Sequence, residues 1–169
     1  MNIAVVLGTS NSDGNTRCIV DAFIAESNAK LFNLSDYQIS FFDYQHNNQQ
    51  DDFLSLIKEL VGFEHIVFAS PVYWYAMSAQ LKVFFDRLSD LLTIEKDLGR
   101  QLKGIGCSVI ATGFDKEIPA CFLQPFEKTA NYLKMNFKGH SYFSIQNESN
   151  IDNIDGIDLE REIGNIDSV

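Results

Sequence analysis

Gly8-Thr-Ser-Asn-Ser-Asp-Gly14-Asn-Thr16 is the stretch whose reading decides the fold. It follows the apolar, β-branched run Ile3-Ala-Val-Val-Leu7, the pattern of a buried strand. It precedes Cys18, Ile19, Ala22 and Phe23, spaced for one face of a helix. The chain therefore opens strand, small polar loop, helix. A loop of this kind offers unpaired backbone N–H groups at a helix N-terminus, where the partial positive charge favours an anion. The hydroxyls of Thr9, Ser10, Ser12 and Thr16 and the amide of Asn15 add side-chain donors. A Walker loop would need lysine where Asn15 stands, and no Gly-x-Gly-x-x-Gly triple occurs. The expected ligand is a single phosphate held mainly by neutral donors, without a triphosphate or Mg²⁺.

Further along, strands and helices alternate. Ala29–Leu34 reads as a short edge strand, and Ile39–Phe42 as extended and aromatic. Asp51 or Asp52 caps a helix with Phe53, Leu54, Ile57, Leu60 and Val61 on one face. His65–Ala69 is a buried strand, which Ser70-Pro71 should end. After the loop Val72-Tyr-Trp-Tyr-Ala-Met77, Ser78 caps a helix striped by Leu81, Phe84, Phe85, Leu88 and Leu92. Thr93–Gly104 is a charged excursion, and Ile105–Ala111 a strand ending at Thr112-Gly113. A helix covers part of Pro119–Lys134, its start obscured by Pro125, and the last strand lies within Phe137–Ile145.

This alternation predicts an α/β protein, a five-stranded parallel sheet of order 2-1-3-4-5 with helices on both faces. In that order a ligand crevice opens at the C-terminal ends of the first and third strands. The hydroxyl-rich loop, Ser70-Pro-Val-Tyr-Trp-Tyr75 and Thr112-Gly-Phe114 would converge there. A ligand with one phosphate and a large planar ring matches all three, and flavin mononucleotide (FMN) is such a ligand. Three consecutive aromatics on a loop after proline cannot all face a core.

The 169 residues suffice for one domain with a full core. No apolar run is long enough to span a bilayer, and no basic flank precedes the N-terminal apolar run, so the expectation is a cytoplasmic protein. Three scattered cysteines and three scattered histidines suggest neither a disulfide framework nor a metal site. Of the net charge of −10, Asn147–Val169 supplies −6, with seven acids against Arg161. That balance disfavours nucleic acid, which needs a basic footprint. We expect one FMN-binding domain over 1–146. Residues 147–169 would be an acidic tail or short helix of the same domain, with Leu159, Ile163 and Ile166 as an apolar stripe.

The loop 8–16 and the longer stretch Ser70-Pro-Val-Tyr-Trp-Tyr-Ala-Met-Ser-Ala-Gln-Leu-Lys-Val-Phe-Phe-Asp-Arg87 resemble the two signatures of flavodoxin-like NAD(P)H-dependent FMN reductases. Pro125–Leu133 is a weaker third match. The resemblance implies a phosphate site at Thr9, Ser10, Asn11, Ser12, Asn15 and Thr16. It implies a seat for the flavin ring at Pro71, Val72, Tyr73 and Trp74, largely through backbone groups, with Thr112 and Gly113 at the ring's far edge. It also implies NAD(P)H as co-substrate, a small-molecule acceptor such as a quinone or free flavin, and a homodimer. A flavodoxin-type electron carrier is the alternative; a phospho-acceptor domain would need an aspartate where Ser70 stands. Two departures are visible. The family often has a basic residue at Asn11, for which Arg17 is either a substitute or a solvent-facing bystander. The cysteine cluster of iron–sulfur relatives is missing from Asp43-Tyr-Gln-His46. No acid–base pair, nucleophile or metal cluster is evident, so no catalytic side chain is expected.

Overall fold

In the computed structural model, residues 1–145 are described; the expectations for 147–169 lie outside them. Five parallel strands form one sheet in the order β2-β1-β3-β4-β5: β1 Ile3–Leu7, β2 Lys30–Asn33, β3 His65–Pro71, β4 Gly106–Gly113 and β5 Asn136–Ser144. The expected order is the observed one. β1 and β3 are buried along their whole length, as interior parallel strands covered on both faces must be, whereas edge strands β2 and β5 are partly exposed. α1 (Asn15–Ser27) packs Ile19, Val20 and Phe23 on one face of the sheet, against Val5, Leu7, Val67, Ala69 and Ile110. The other face carries α2 (Phe53–Leu60), α3 (Ala79–Arg87), the short helices α4 (Asp90–Thr93) and α5 (Lys96–Arg100), and α6 (Ala120–Leu133). Edge-to-face rings tie this layer together: Phe53–Phe84 at 5.6 Å, and Phe68–Phe85 and Phe85–Phe126 both at 5.1 Å.

Some local expectations are corrected. β3 does not stop at Ala69. Pro71 is its last residue, opposite Thr112, and pairing carries on when the Val72 N–H donates to the Thr112 carbonyl at 2.8 Å. Val72 donates toward β4, so alternation turns the Pro71 nitrogen to the β1 side, where pairing has ended at Leu7 and no ladder donor is needed. Residues 39–42 form no strand, and Leu34 belongs to a 3₁₀ turn whose cap is the Asn33 side chain. The charged excursion 93–104 holds α5, with Leu98 and Leu102 buried. α6 begins at Ala120 and runs through Pro125.

Arg87 is the largest fully buried side chain, a role its place in the signature did not reveal. Its guanidinium donates to Asp90 at 2.8 Å, to the Ser40 carbonyl at 3.1 Å and to both carboxylate oxygens of Asp51, and it stacks over Phe53 at 4.8 Å. His46 pairs with the other Asp90 oxygen at 3.0 Å. This network fastens the long 38–52 connection to the end of α3. Burial alone would push the Asp51 carboxyl up. The Arg87 guanidinium and the N–H groups of Ser40 and Phe53 outweigh it and hold Asp51 below the ordinary carboxylate range.

Because folding lowers the Asp51 value, its contribution is complete above the unfolded-state value near pH 4 and is lost as pH falls through the folded one. Asp51→Asn should therefore cost about 3 kcal/mol at pH 7, the scale of breaking a buried pair. The gap from wild type should shrink below about pH 4 in urea titrations; a gap independent of pH would contradict this.

Candidate functional site

The β1/β3 switch point lies where α1 leaves β1 and α3 follows β3. Gly8, just past β1, sits so close to α3 that a Cβ there would lie 2.6 Å from Leu81 Cβ. Ser78 fixes the approach. Its buried hydroxyl donates to the Gly8 carbonyl at 2.7 Å and, as the expected N-cap, accepts from the Leu81 N–H at 3.2 Å. The Ser78 N–H donates in turn to Ser70 Oγ at 2.9 Å. Strand ends and helix start are thus one hydrogen-bonded unit.

The loop beyond Gly8 is shaped by its own side chains. Asn11 N–H donates to Thr9 Oγ1 at 3.2 Å, and Asp13 N–H to Asn11 Oδ1 at 3.2 Å. Ser10 Oγ donates to the Tyr73 hydroxyl at 3.3 Å, joining this loop to the aromatic one. α1 then starts at Asn15 behind Gly14, with no side chain among the described residues capping it and no acid in its first turn. The N–H groups of Asn15 and Thr16 precede the first residue able to find an acceptor within the helix. Thr16 is buried, and its hydroxyl lies 2.7 Å from that of Thr112, also buried, at the end of β4.

After Pro71 and Val72 the chain makes a two-residue hairpin. Tyr73 and Ala76 exchange N–H···O bonds of 2.9 and 3.0 Å, and Trp74 and Tyr75 take left-handed conformations at φ 49° and 66°. That is a primed turn, ordinarily made by Asn-Gly; two bulky aromatics there are strained. The turn presents Trp74, 94% exposed, and Tyr75, 61% exposed. The Tyr73 N–H is consumed within the turn. The N–H groups of Trp74 and Tyr75 have no partner among the described residues.

These pieces enclose a cleft of about 210 Å³ lined by Thr9, Asn11, Gly14, Asn15, Thr16, Pro71, Val72, Tyr73, Thr112, Gly113, Phe114 and Ile145. Most of the expected residues come together there. Ser10, Ser12 and Trp74 do not line it; Ser10 braces the loop and Trp74 stands outside. Phe114 joins them from the end of β4, and Gly14 and Ile145 are additions. Phe114 follows the Thr-Gly pair and is exposed, and Ile145 enters because its N–H donates to the Gly113 carbonyl at 2.7 Å, a pairing no sequence pattern announces. Among the described residues, none that lines it is charged. Arg17 is turned to Asp21, 2.7 Å away, and does not line the cleft. His46 and Asp43 belong to the 38–52 connection, bonded to Asp90 and Asn47. The Cys107 thiol, in the core, is pushed by burial up to about 12, which makes it inert at neutral pH.

The sequence pattern of NADPH-dependent FMN reductases matches residues 1–150. The chain belongs to that family. YwqN of Bacillus subtilis, named as an NAD(P)H-dependent FMN-containing oxidoreductase, is 32% identical over 152 residues, which cover 83% of each chain. A solved structure titled Trp repressor binding protein, also from Bacillus subtilis, superposes with a TM-score of 0.72 at 27% identity over 90% of both chains. General stress protein 14 of Treponema denticola, solved with FMN, shares the fold at 17% identity, with a TM-score of 0.69 over 99% of both chains. Membership makes this chain an oxidoreductase of the FMN-dependent, NAD(P)H-using kind. Its residues fit that cofactor: the uncapped start of α1 and the hydroxyls around it form a phosphate-sized set of neutral donors, and the cleft continues past Pro71, Val72 and Gly113.

The hydroxyl of Ser78 is the joint that sets this geometry. Ser78→Ala would leave the Gly8 carbonyl buried without its donor and remove the α3 cap, lowering stability by about 2 kcal/mol in denaturant titrations. A loss below about 0.5 kcal/mol would show that the joint is redundant.

Proposed function

We propose that the chain takes a hydride from NAD(P)H through bound FMN and passes the electrons to a small acceptor such as a quinone or free flavin. The observation that carries the proposal is the uncapped start of α1, facing the same uncharged cleft as the ends of β3 and β4. FMN would supply the redox chemistry when bound. Thr9, Ser10, Asn11, Ser12, Asn15 and Thr16 would hold its phosphate through N–H, hydroxyl and amide donors. Ser10 would do so indirectly, by locking the loop to Tyr73. Pro71, Val72, Tyr73 and Trp74 would seat the ring, with Thr112 and Gly113 at its far edge. The N–H groups of Trp74 and Tyr75 are the donors available to its polar rim.

The exposed Trp74 and Tyr75 side chains would border the open face and position the nicotinamide. Together with Phe114, 78% exposed, they leave more apolar surface around the cleft than one subunit covers, which supports a homodimer. A monomer by light scattering with FMN bound would contradict that assembly.

Positioning without a protein acid or base predicts graded effects. Trp74→Ala should slow reduction by NAD(P)H or loosen the flavin without abolishing both. Asp13, Asp43, His46 and Asp115, each mutated singly, should keep reduction within about tenfold of wild type, below the 10²–10⁴ expected of a general acid or base. Stopped-flow bleaching of the flavin band measures the step. A hundredfold loss in one of those four, with FMN retained, would overturn the mechanism.

A further inference from the structure

The hydroxyls of Thr16 and Thr112 are 96 residues apart in sequence and 2.7 Å apart in the fold. Both residues are 3% exposed, both line the cleft, and neither hydroxyl has another partner among the described residues. Only one proton can lie between two hydroxyl oxygens. The hydroxyl that accepts must send its own proton elsewhere. Both residues line the cleft.

The cleft is also where an anion would lack cationic support. Among the described residues none that lines it is charged, and Arg17 is paired with Asp21. Each neutral donor must then be as strong as its surroundings can make it. A hydroxyl that accepts one hydrogen bond becomes a better donor in the next.

Resting on the reading of this cleft as an FMN site, we propose that Thr112 is a positioning residue for the cofactor's phosphate, acting through Thr16. Thr112 donates to Thr16 Oγ1, and Thr16 thereby donates to the phosphate. Thr112 itself does not touch the anion. The relay also links the two halves of the site, because the Thr112 carbonyl accepts from the Val72 N–H at 2.8 Å, at the entrance to the ring seat. Selectivity for a phosphorylated flavin would thus depend on a side chain at the end of β4, outside the loop that carries the phosphate donors.

The test is the ratio of riboflavin to FMN dissociation constants, measured by quenching of flavin fluorescence on the full chain. Thr112→Val keeps the shape of the side chain and removes the hydroxyl. It should weaken FMN about three- to tenfold more than it weakens riboflavin, the range of one hydrogen bond, because any loss at the ring edge falls on both flavins alike. Thr112→Ser should restore the wild-type ratio. Thr112→Ala, compared with Thr112→Ser, repeats the test with a smaller side chain should the valine variant fold poorly. In a Thr16→Val background, Thr112→Val should change the ratio less than about twofold, since the relay is already cut. Equal weakening of both flavins, or an undiminished effect in the Thr16→Val background, would overturn the relay and leave the phosphate site standing. A wild type that does not distinguish FMN from riboflavin would overturn both.

Discussion

The crevice hangs on a buried hydroxyl. Ser78 Oγ donates to the carbonyl at the end of β1 and caps the start of α3, while the Ser78 N–H is held by Ser70 at the end of β3. β1 and β3 are neighbours whose following helices cover opposite faces of the sheet, so their ends necessarily part. Ser78 keeps that parting narrow and reproducible. Gly8 is the complementary constraint, since any side chain there would drive into the backbone of α3. With those ends fixed, the hydroxyl loop, the aromatic turn and the end of β4 can face one another across a few ångströms.

Neutrality gives the site its chemical character. A phosphate bound without lysine or arginine depends on donors being fixed beforehand, because flexible ones would have to be ordered at binding. The structure supplies such order. Thr9 and Asn11 bond the loop backbone to itself, Ser10 ties it to Tyr73, and Thr16 is anchored to Thr112. The turn at Trp74 and Tyr75 is held in the same spirit. Two bulky residues at positive φ persist because Tyr73 and Ala76 clamp them with paired backbone bonds. The strain exposes two ring systems and two N–H groups at the mouth of the cleft.

Much of this was legible in the sequence. Strand order followed from alternation and length, because buried parallel strands read as continuous apolar runs and their crossovers need helices. Ser78 was legible as a cap by its position before an apolar stripe. Its bond to Gly8 was not, being a contact across the switch point. The buried Arg87 was hidden for a related reason: its partners Asp51 and Asp90 come from segments that look like surface, and only the fold shows them facing one cation. The primed turn at Trp74 and Tyr75 was hidden, because a sequence without Gly or Asn gives no sign of one. Ile145 was missed because it reaches the cleft through strand pairing, not through any motif.

The central claim is that neutral donors at the β1–α1 junction hold the phosphate of FMN. A crystal structure of the FMN complex tests it most directly. The account predicts phosphate oxygens within hydrogen-bond distance of the Asn15 and Thr16 N–H groups and the Thr16 hydroxyl, with Arg17 still paired to Asp21. A phosphate held by Arg17 or another cation, or lying away from the start of α1, would contradict it.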